Sequence, residues 1–167
     1  MSAHRFPARR DTGRAMSKEN VELVRAALDE ISRLMLSATA NPERPMRDDY
    51  ARVVDHFLAT DFRLVQAPSA VERRTLYGFD GFVTFMEGGR EMWTEARLDA
   101  DELIDVGDDN VVAIGTFRAR GRASGAEVQQ ANGTVWTLRD AKVACIRAFQ
   151  DPDEALAAVG LPGSSRA

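Results

Sequence analysis

The second half of the chain carries the strongest pattern in the sequence. From Ala96 onward, the spacing of apolar residues changes towards two, which is the period of a β-strand with one buried face. Short segments rich in Gly, Asp and Ser interrupt this pattern and leave strands of ordinary length. Successive strands with such short connections pair in antiparallel fashion. The region therefore predicts a four-stranded antiparallel meander, made of “ARLDADELIDVG”, “NVVAIGTFRARGRA”, “EVQQANGTVWTLR” and “KVACIRAFQ”.

The residues before this meander have the period of helices instead. Apolar residues at three- and four-residue steps follow Ser17, a suitable N-cap, and predict a first helix over “SKENVELVRAALDEISRLML”. A second helix begins at about Asp48, a short strand follows in “DFRLVQAP”, and “GFDGFVTFMEGGREMW” predicts a third helix. Helices first and a meander last are typical of the α+β class.

Length and charge limit the functions that the chain can have. Its 167 residues fit one domain, and the net charge of −4 argues against nucleic-acid binding. No segment approaches the ~18 consecutive apolar residues of a membrane span. We predict a disordered basic tail over residues 1–16, one domain over 17–161 and a flexible tail over 162–167. Because the basic tail lacks the apolar run of a secretory signal, we expect a cytoplasmic protein, starting at Met1 or Met16.

Cysteine and histidine are too few for a disulfide or a metal site. The single cysteine, Cys145, lies inside a predicted strand, where a small buried residue is expected. The two histidines, His4 and His56, are far apart in the sequence and have no metal-ligand spacing. We therefore predict neither a metal nor a cofactor.

The last two strands predict a hairpin whose register can be counted. If Asp140 and Ala141 form a two-residue turn, Arg139 lies opposite Lys142, and every earlier pair follows by counting. The side chains of alternate pairs then share one face, which is apolar near the turn and polar at its far end. The pairs on this graded face are Leu138–Val143, Trp136–Cys145, Thr134–Arg147, Asn132–Phe149 and Gln130–Asp151.

The opposite face of the same hairpin is flat and apolar. We expect it to pack against a second copy of the chain, forming a homodimer through the outer side of the sheet. The pattern alone leaves two alternatives open. Either the graded face lines a pocket, or the graded face is exposed to solvent and the flat face belongs to the core. The flat face contains Ala131, Val135, Ala144, Ile146 and Ala148.

Several segments between Ser17 and Leu161 resemble the SnoaL-like polyketide cyclase family of the nuclear-transport-factor-two-like superfamily. The segments that carry the resemblance are “SKENVELVRAALDEI”, “LYGFDGFVTF”, “DELIDVGDDNVVAI”, “RARGRASGAEV”, “VWTLRDAKV” and “DEALAAVGL”. The resemblance implies a cone, in which a curved antiparallel sheet wraps around the N-terminal helices and encloses a pocket, usually in a dimer. Members include ring-closing cyclases, and superfamily relatives include ketosteroid isomerases and epoxide hydrolases.

The resemblance favours the graded face as the wall of a pocket for an apolar small molecule. Trp136 and Phe149 would form its apolar part, and Asn132, Thr134 and Arg147 would be its polar ligand contacts. Family members often carry histidine where this chain has Thr134, and they often end the last strand in Tyr-Leu-Asp instead of Phe-Gln-Asp. The sequence therefore lacks two groups that commonly move protons or donate to an oxyanion.

Asp151 is the remaining catalytic candidate, and two roles are open to it. As a general base it would move a proton in a cofactor-free cyclase, isomerase or hydrolase that acts on a hydrophobic carbonyl compound or epoxide. As an N-cap it would start the helix predicted in “DPDEALAAVG”, because Asp followed by Pro is a helix-start signal. The sequence thus predicts either an enzyme or a non-catalytic ligand-binding or scaffold protein.

Overall fold

The computed structural model describes residues 10–66 and 74–163, with side chains from residue 17 onward. It has the α+β architecture that the sequence predicts, with six strands and four helices in this part of the chain. In chain order these are α1 (Arg10–Ala40), α2 (Arg47–Phe57), β1 (Leu58–Gln66), β2 (Thr75–Tyr77), α3 (Gly78–Met92), β3 (Trp93–Gly107), β4 (Asn110–Gly121), β5 (Glu127–Arg139), β6 (Lys142–Phe149) and α4 (Pro152–Ala158).

All six strands form one curved, unclosed sheet in the order β2-β1-β6-β5-β4-β3. The predicted meander is confirmed, because β3, β4, β5 and β6 pair in sequence as antiparallel neighbours. The predicted curved antiparallel sheet is present, with one parallel pairing in it, between β1 and β6. These two strands are distant in sequence, so no tight turn dictates their relative direction.

α1 packs across one side of the sheet, which we call the inner face. Its buried residues, among them Val24, Leu28, Ile31 and Met35, follow the helical spacing seen in the sequence. The helix begins at Arg10, so Ser17 lies inside it and is not the predicted N-cap. Residues 10–16 of the predicted tail belong to this helix, whereas residues 1–9, like residues 164–167 of the C-terminal tail, lie outside the described residues.

The β5–β6 hairpin has the predicted turn but only part of the predicted register. Asp140 and Ala141 adopt positive φ angles of 52° and 58°, and Leu138 lies opposite Val143 as expected. Beyond these residues Thr137 pairs with Cys145, so Ala144 is an extra residue on β6. Such a bulge moves all later side chains of that strand to the other face.

The predicted pairs beyond the bulge are therefore wrong. Trp136 lies opposite Ile146 rather than Cys145, and Thr134 lies opposite Ala148 rather than Arg147. The other two predicted pairs also fail, because Phe149 lies opposite Gly133 and Asp151 lies beyond the end of β6.

The flat apolar face predicted for dimerisation does not exist as a single surface. Ile146 and Ala148 face the inner side of the sheet, whereas Val135 is fully buried on the outer face. α4 covers that part of the outer face and packs Ala155 and Leu156 against Val135. The surface assigned to the dimer is thus partly interior, and the homodimer itself stays a prediction.

Candidate functional site

A cavity of about 760 Å³ lies between the inner face of the sheet and helices α1 and α3. This volume falls within the range of roughly 300–1,000 Å³ that is common for pockets that bind small molecules. Its walls are mainly apolar, because both helices turn their hydrophobic sides towards it. The helical part of the wall includes Leu28 and Ile31 of α1 together with Phe82, Phe85 and Met86 of α3.

Strand alternation places a row of polar and aromatic side chains of β5 in this cavity. Gln130, Asn132, Thr134 and Trp136 occupy alternate positions, so all four lie on the inner face, and all four line the cavity. The row is graded, since Trp136 is almost fully buried, Thr134 and Asn132 are half-buried, and Gln130 is exposed. The cavity therefore has an apolar end and a polar end.

One hydrogen bond joins these two ends. The indole Nε1 of Trp136 donates to the Oγ1 atom of Thr134 over 2.7 Å. A threonine hydroxyl has one proton to donate, and accepting the indole N–H leaves that proton available. Thr134 is thus oriented by Trp136 as a hydrogen-bond donor at the boundary between the apolar and polar parts of the cavity.

The structure brings together four of the six site residues predicted from the sequence. Asn132, Thr134 and Trp136 line the cavity from the inner face, and Phe149 borders it as well. Phe149 lies opposite Gly133, however, and packs against the apolar cluster beneath α4, so it is not the inner apolar wall that the sequence predicts. The fifth predicted residue, Arg147, does not line the cavity. It lies opposite Val135, because the bulge at Ala144 moves the later side chains of β6 to the opposite face of the sheet from the one predicted.

Asp151, the predicted catalytic residue, is the N-cap of α4. Its Oδ1 atom accepts the backbone N–H of Asp153 over 2.9 Å, and Pro152 follows at the first helical position. The carboxylate is exposed and does not line the cavity. Within residues 10–66 and 74–163, no ion pair joins it to Arg147. These contacts match the capping role that the Asp-Pro pair predicts.

Sequence reasoning missed the wall contributed by β1 and β2. Gln66 and Arg74 line the polar end of the cavity, and the N–H of Gln66 donates to the carbonyl of Arg74 over 3.1 Å. Alternation with Phe62 and Leu64 is a signal that could have placed Gln66 on the inner face. Arg74 precedes the three-residue strand β2, which is too short to show any period.

Asp99 borders the cavity through its backbone, while its side chain lies on the outer face. A Cβ atom on Gly115 would lie 2.2 Å from the carbonyl oxygen of Asp99, so the two strands approach closely here. The carboxylate Oδ2 is 3.3 Å from Nε of Arg97 and 2.9 Å from Nε of Arg118. Those two arginines are opposite each other in the β3–β4 register, on the side away from Leu98. The carboxylate is therefore not a candidate base for the cavity.

A buried tyrosine lies directly behind the cavity wall. Tyr50 is fully buried, and its ring makes an edge contact with Phe82 at a centroid distance of 6.0 Å. Burial, and then the neighbouring Glu87 carboxylate, raise the pKa of the Tyr50 phenol well above its ordinary value. The Tyr50 hydroxyl forms no hydrogen bond with any described residue. Tyr50 is therefore a neutral phenol that supports Phe82 from behind.

The described residues contain neither a metal-ligand cluster nor a membrane-spanning helix. Among the described residues, no group of three or more His, Cys, Asp or Glu side chains is close enough to hold a metal ion. Of the helices in the same part of the chain, none combines the length and the hydrophobicity that crossing a membrane requires.

Comparison with known proteins identifies both a family and a fold. The family model of the SnoaL-like domain matches residues 43–146. No curated protein matches the sequence.

Solved structures with 20% sequence identity or less share the fold. An NTF2-like protein of unknown function from Burkholderia pseudomallei has a TM-score of 0.61 at 20% identity, and the match covers 85% of this chain and 98% of that one. A putative SnoaL-like polyketide cyclase from Jannaschia gives the same TM-score and identity over 96% and 99% of the two chains. TerC, co-crystallised with polyporic acid, has a TM-score of 0.56 at 19% identity, covering 84% and 98%.

Proposed function

The chain belongs to the SnoaL-like domain family, and on this basis we propose that it binds a largely apolar, ring-containing small molecule in the cavity beside β5. The observation that carries the proposal is the hydrogen bond from Trp136 to Thr134, which leaves a positioned hydroxyl donor inside an apolar pocket. In small-molecule pockets, a small number of polar groups at one end of an apolar cavity fixes the orientation of the ligand.

The apolar end supplies most of the binding free energy in this proposal. Leu28, Ile31, Phe82 and Met86 face the cavity, and a ligand that covers them removes their surface from water. Burial of apolar surface contributes roughly 25 cal/mol per Å² before the costs of association are subtracted. The ligand therefore has a hydrophobic body that matches this wall.

The polar end recognises an oxygen atom. Thr134 and Asn132 are two residues apart on the same face of β5, so their side chains project into the cavity side by side. A hydroxyl and a carboxamide N–H are both donors, and a carbonyl oxygen accepts two hydrogen bonds. We therefore propose a ketone, quinone or similar carbonyl group as the part of the ligand that contacts β5.

Binding accounts for the geometry better than turnover by Asp151 does. A general base must reach the proton that it removes, directly or through one water molecule. The Asp151 carboxylate instead accepts the N–H of Asp153 and lies outside the cavity lining. The bound polyporic acid of TerC supports an organic ligand for this fold without extending TerC's own chemistry to this chain.

A matched pair of substitutions tests whether the cavity is the binding site. Ala148 lines the cavity, whereas Ala131 is exposed on the outer face of β5. In Ala148→Trp the indole projects into the cavity beside Thr134 and takes up part of the space for a ligand, whereas in Ala131→Trp the same side chain points to solvent. With N-phenyl-1-naphthylamine as a neutral fluorescent probe, we expect Ala131→Trp to bind as the wild type does and Ala148→Trp to bind more weakly. Equal binding by both variants contradicts the proposal.

A second pair of substitutions tests the carbonyl contact. Thr134→Val removes the hydroxyl donor and Thr134→Ser keeps it. For 6-propionyl-2-(dimethylamino)naphthalene, a ketone probe, we expect about fivefold weaker binding by Thr134→Val, since one hydrogen bond contributes about 1 kcal/mol. Thr134→Ser retains the affinity, and N-phenyl-1-naphthylamine, which has no carbonyl, binds all three proteins alike. If Thr134→Val binds the ketone as well as the wild type does, Thr134 is not its contact.

A further inference from the structure

Three neighbouring strands and the residue before β2 place one row of residues across the polar end of the cavity. Thr134 on β5 lies opposite Ala148 on β6, and Ala148 lies opposite Gln66 on β1. The backbone N–H of Gln66 donates to the carbonyl of Arg74, which directly precedes β2. All four residues line the cavity. The row therefore runs from the hydroxyl of Thr134 at one end to the guanidinium of Arg74 at the other.

Arg74 belongs to the inner face of this edge of the sheet. It is two residues from Leu76, which lies opposite Leu64, and all three line the cavity. Arg63 occupies the alternate position on β1 and does not line it.

Arg74 supplies a positive charge that no described carboxylate balances. The Asp99 carboxylate pairs with Arg97 and Arg118 on the outer face. In the part of the chain that the structure describes, no Asp or Glu forms an ion pair with Arg74. Among the described residues, Arg74 is thus a cation without an ion-pair partner at the polar end of the cavity.

The spacing of the row sets the size of the ligand that could contact both ends. Neighbouring strands are ~4.8 Å apart, so the backbones at Thr134 and Arg74 are separated by about 14 Å, or three strand spacings. The long side chain of Arg74 shortens this distance. Between the two ends, Ala148 presents only a methyl group, so a planar ring system can lie across it.

We propose that the ligand carries an acidic oxygen group, such as a carboxylate, enolate or phenolate, which pairs with Arg74. This inference rests on the proposed function, because it assigns the second polar end of the same ligand. A guanidinium presents its N–H donors in a planar fork that matches two oxygen atoms, and such charge-assisted hydrogen bonds are stronger than neutral ones. Arg74 is then a specificity residue that selects anionic over neutral ligands of the same apolar body.

Two probes with the same aromatic body but different charge test this selection. 8-Anilino-1-naphthalenesulfonate carries an anionic oxygen group, and N-phenyl-1-naphthylamine lacks it. We expect Arg74→Gln to bind the sulfonate about fivefold more weakly, as for a partly exposed ion pair. Binding of the neutral probe is unchanged. Arg63→Gln removes the same charge from the other side of the sheet and leaves both affinities at the wild-type values.

The outcomes separate this inference from the proposed function. If both probes bind but Arg74→Gln weakens neither, or both equally, the assignment of Arg74 is overturned while the cavity remains the binding site. If Arg63→Gln weakens the sulfonate as much as Arg74→Gln, the effect is one of overall charge and the assignment is also overturned. If neither probe binds the wild type, the proposed function itself fails, and the assignment of Arg74 fails with it.

Discussion

The two faces of β5 differ in what covers them. On the inner face, Asn132, Thr134 and Trp136 border a cavity of about 760 Å³. On the outer face, Gly133 and Val135 lie beneath α4 with no space between the layers. Alternate residues of one strand thus face two different environments, the cavity on the inner side and the packed contact with α4 on the outer side. Side-chain size is constrained on the outer face and adjustable on the inner face.

The contact with α4 is close because Gly133 has no side chain. A Cβ atom at this position would lie 2.6 Å from the Cβ of Ala155 and 3.1 Å from the Cα of Pro152. Val112, Val135 and Ala155 are fully buried there. Closely packed atoms gain dispersion contacts on every side, whereas atoms that line a cavity lack partners on one side.

The largest expected effect is that of adding one methyl group under α4. Gly133→Ala forces α4 away from the sheet, and we expect a loss of about 1–3 kcal/mol in the free energy of unfolding, as in other overpacked cores. The matched change Gly88→Ala lies in α3 beside the cavity, where an added Cβ meets nothing within 4 Å. It should stabilise the protein by about 0.5–1 kcal/mol, because alanine favours helices. Urea unfolding measures both.

Opposite signs for these two variants would support the difference between the faces. If Gly133→Ala is as stable as the wild type, α4 does not pack as closely on the outer face as the structure indicates, and the proposed difference between the two faces is wrong.

The second expected effect concerns the start of the helix that covers the outer face. Asp151→Ala removes the acceptor for the Asp153 N–H and should cost about 0.5–2 kcal/mol of stability. Asparagine also caps well, so Asp151→Asn should melt close to the wild type. Thermal melting followed by circular dichroism separates the two variants. An Asp151→Asn variant that loses as much stability as Asp151→Ala would show that the charge, and not the cap, matters.

The smallest expected effect lies away from both faces, at the closed end of the hairpin. The hydrogen bond from Arg139 lowers the pKa of the Asp61 carboxyl below its ordinary value of 3.8. A group whose pKa is lowered by folding adds stability above its unfolded pKa, and this stability is lost as the pH falls through the folded value. We expect Asp61→Asn to be slightly less stable than the wild type at pH 7, and the difference to vanish below pH 3.8.

Unfolding curves at pH 7 and at acidic pH measure this difference. Because the Asp61 side chain is exposed and does not line the cavity, probe binding should stay unchanged in Asp61→Asn. A difference in stability that persists at acidic pH would mean that Asp61 acts through packing rather than charge.

Much of this arrangement could be predicted from local sequence patterns. The two-residue period of apolar residues predicts β3, β4, β5 and β6 correctly, and the Asp140-Ala141 turn predicts the start of the hairpin register. The Asp151-Pro152 pair indicated the cap, because a helix start depends on adjacent residues only. On β5 the alternation placed Asn132, Thr134 and Trp136 together correctly.

The errors arose where distant segments decide the outcome. A single extra residue, Ala144, moved Arg147 away from the cavity, and nothing in the alternation of small apolar residues on β6 marks this bulge. The parallel pairing of β1 with β6 joins segments far apart in sequence, and the short β2 has no period to detect. As a result Gln66 and Arg74, which complete the polar end, were missed.

A structure of the protein with N-phenyl-1-naphthylamine bound is the most direct test of the division between the two faces. We expect the probe on the inner face, between Ala148 and Phe82, with α4 still packed on Gly133 and Val135. A probe located on the outer face, with α4 displaced, would contradict the assignment of the cavity as the binding site.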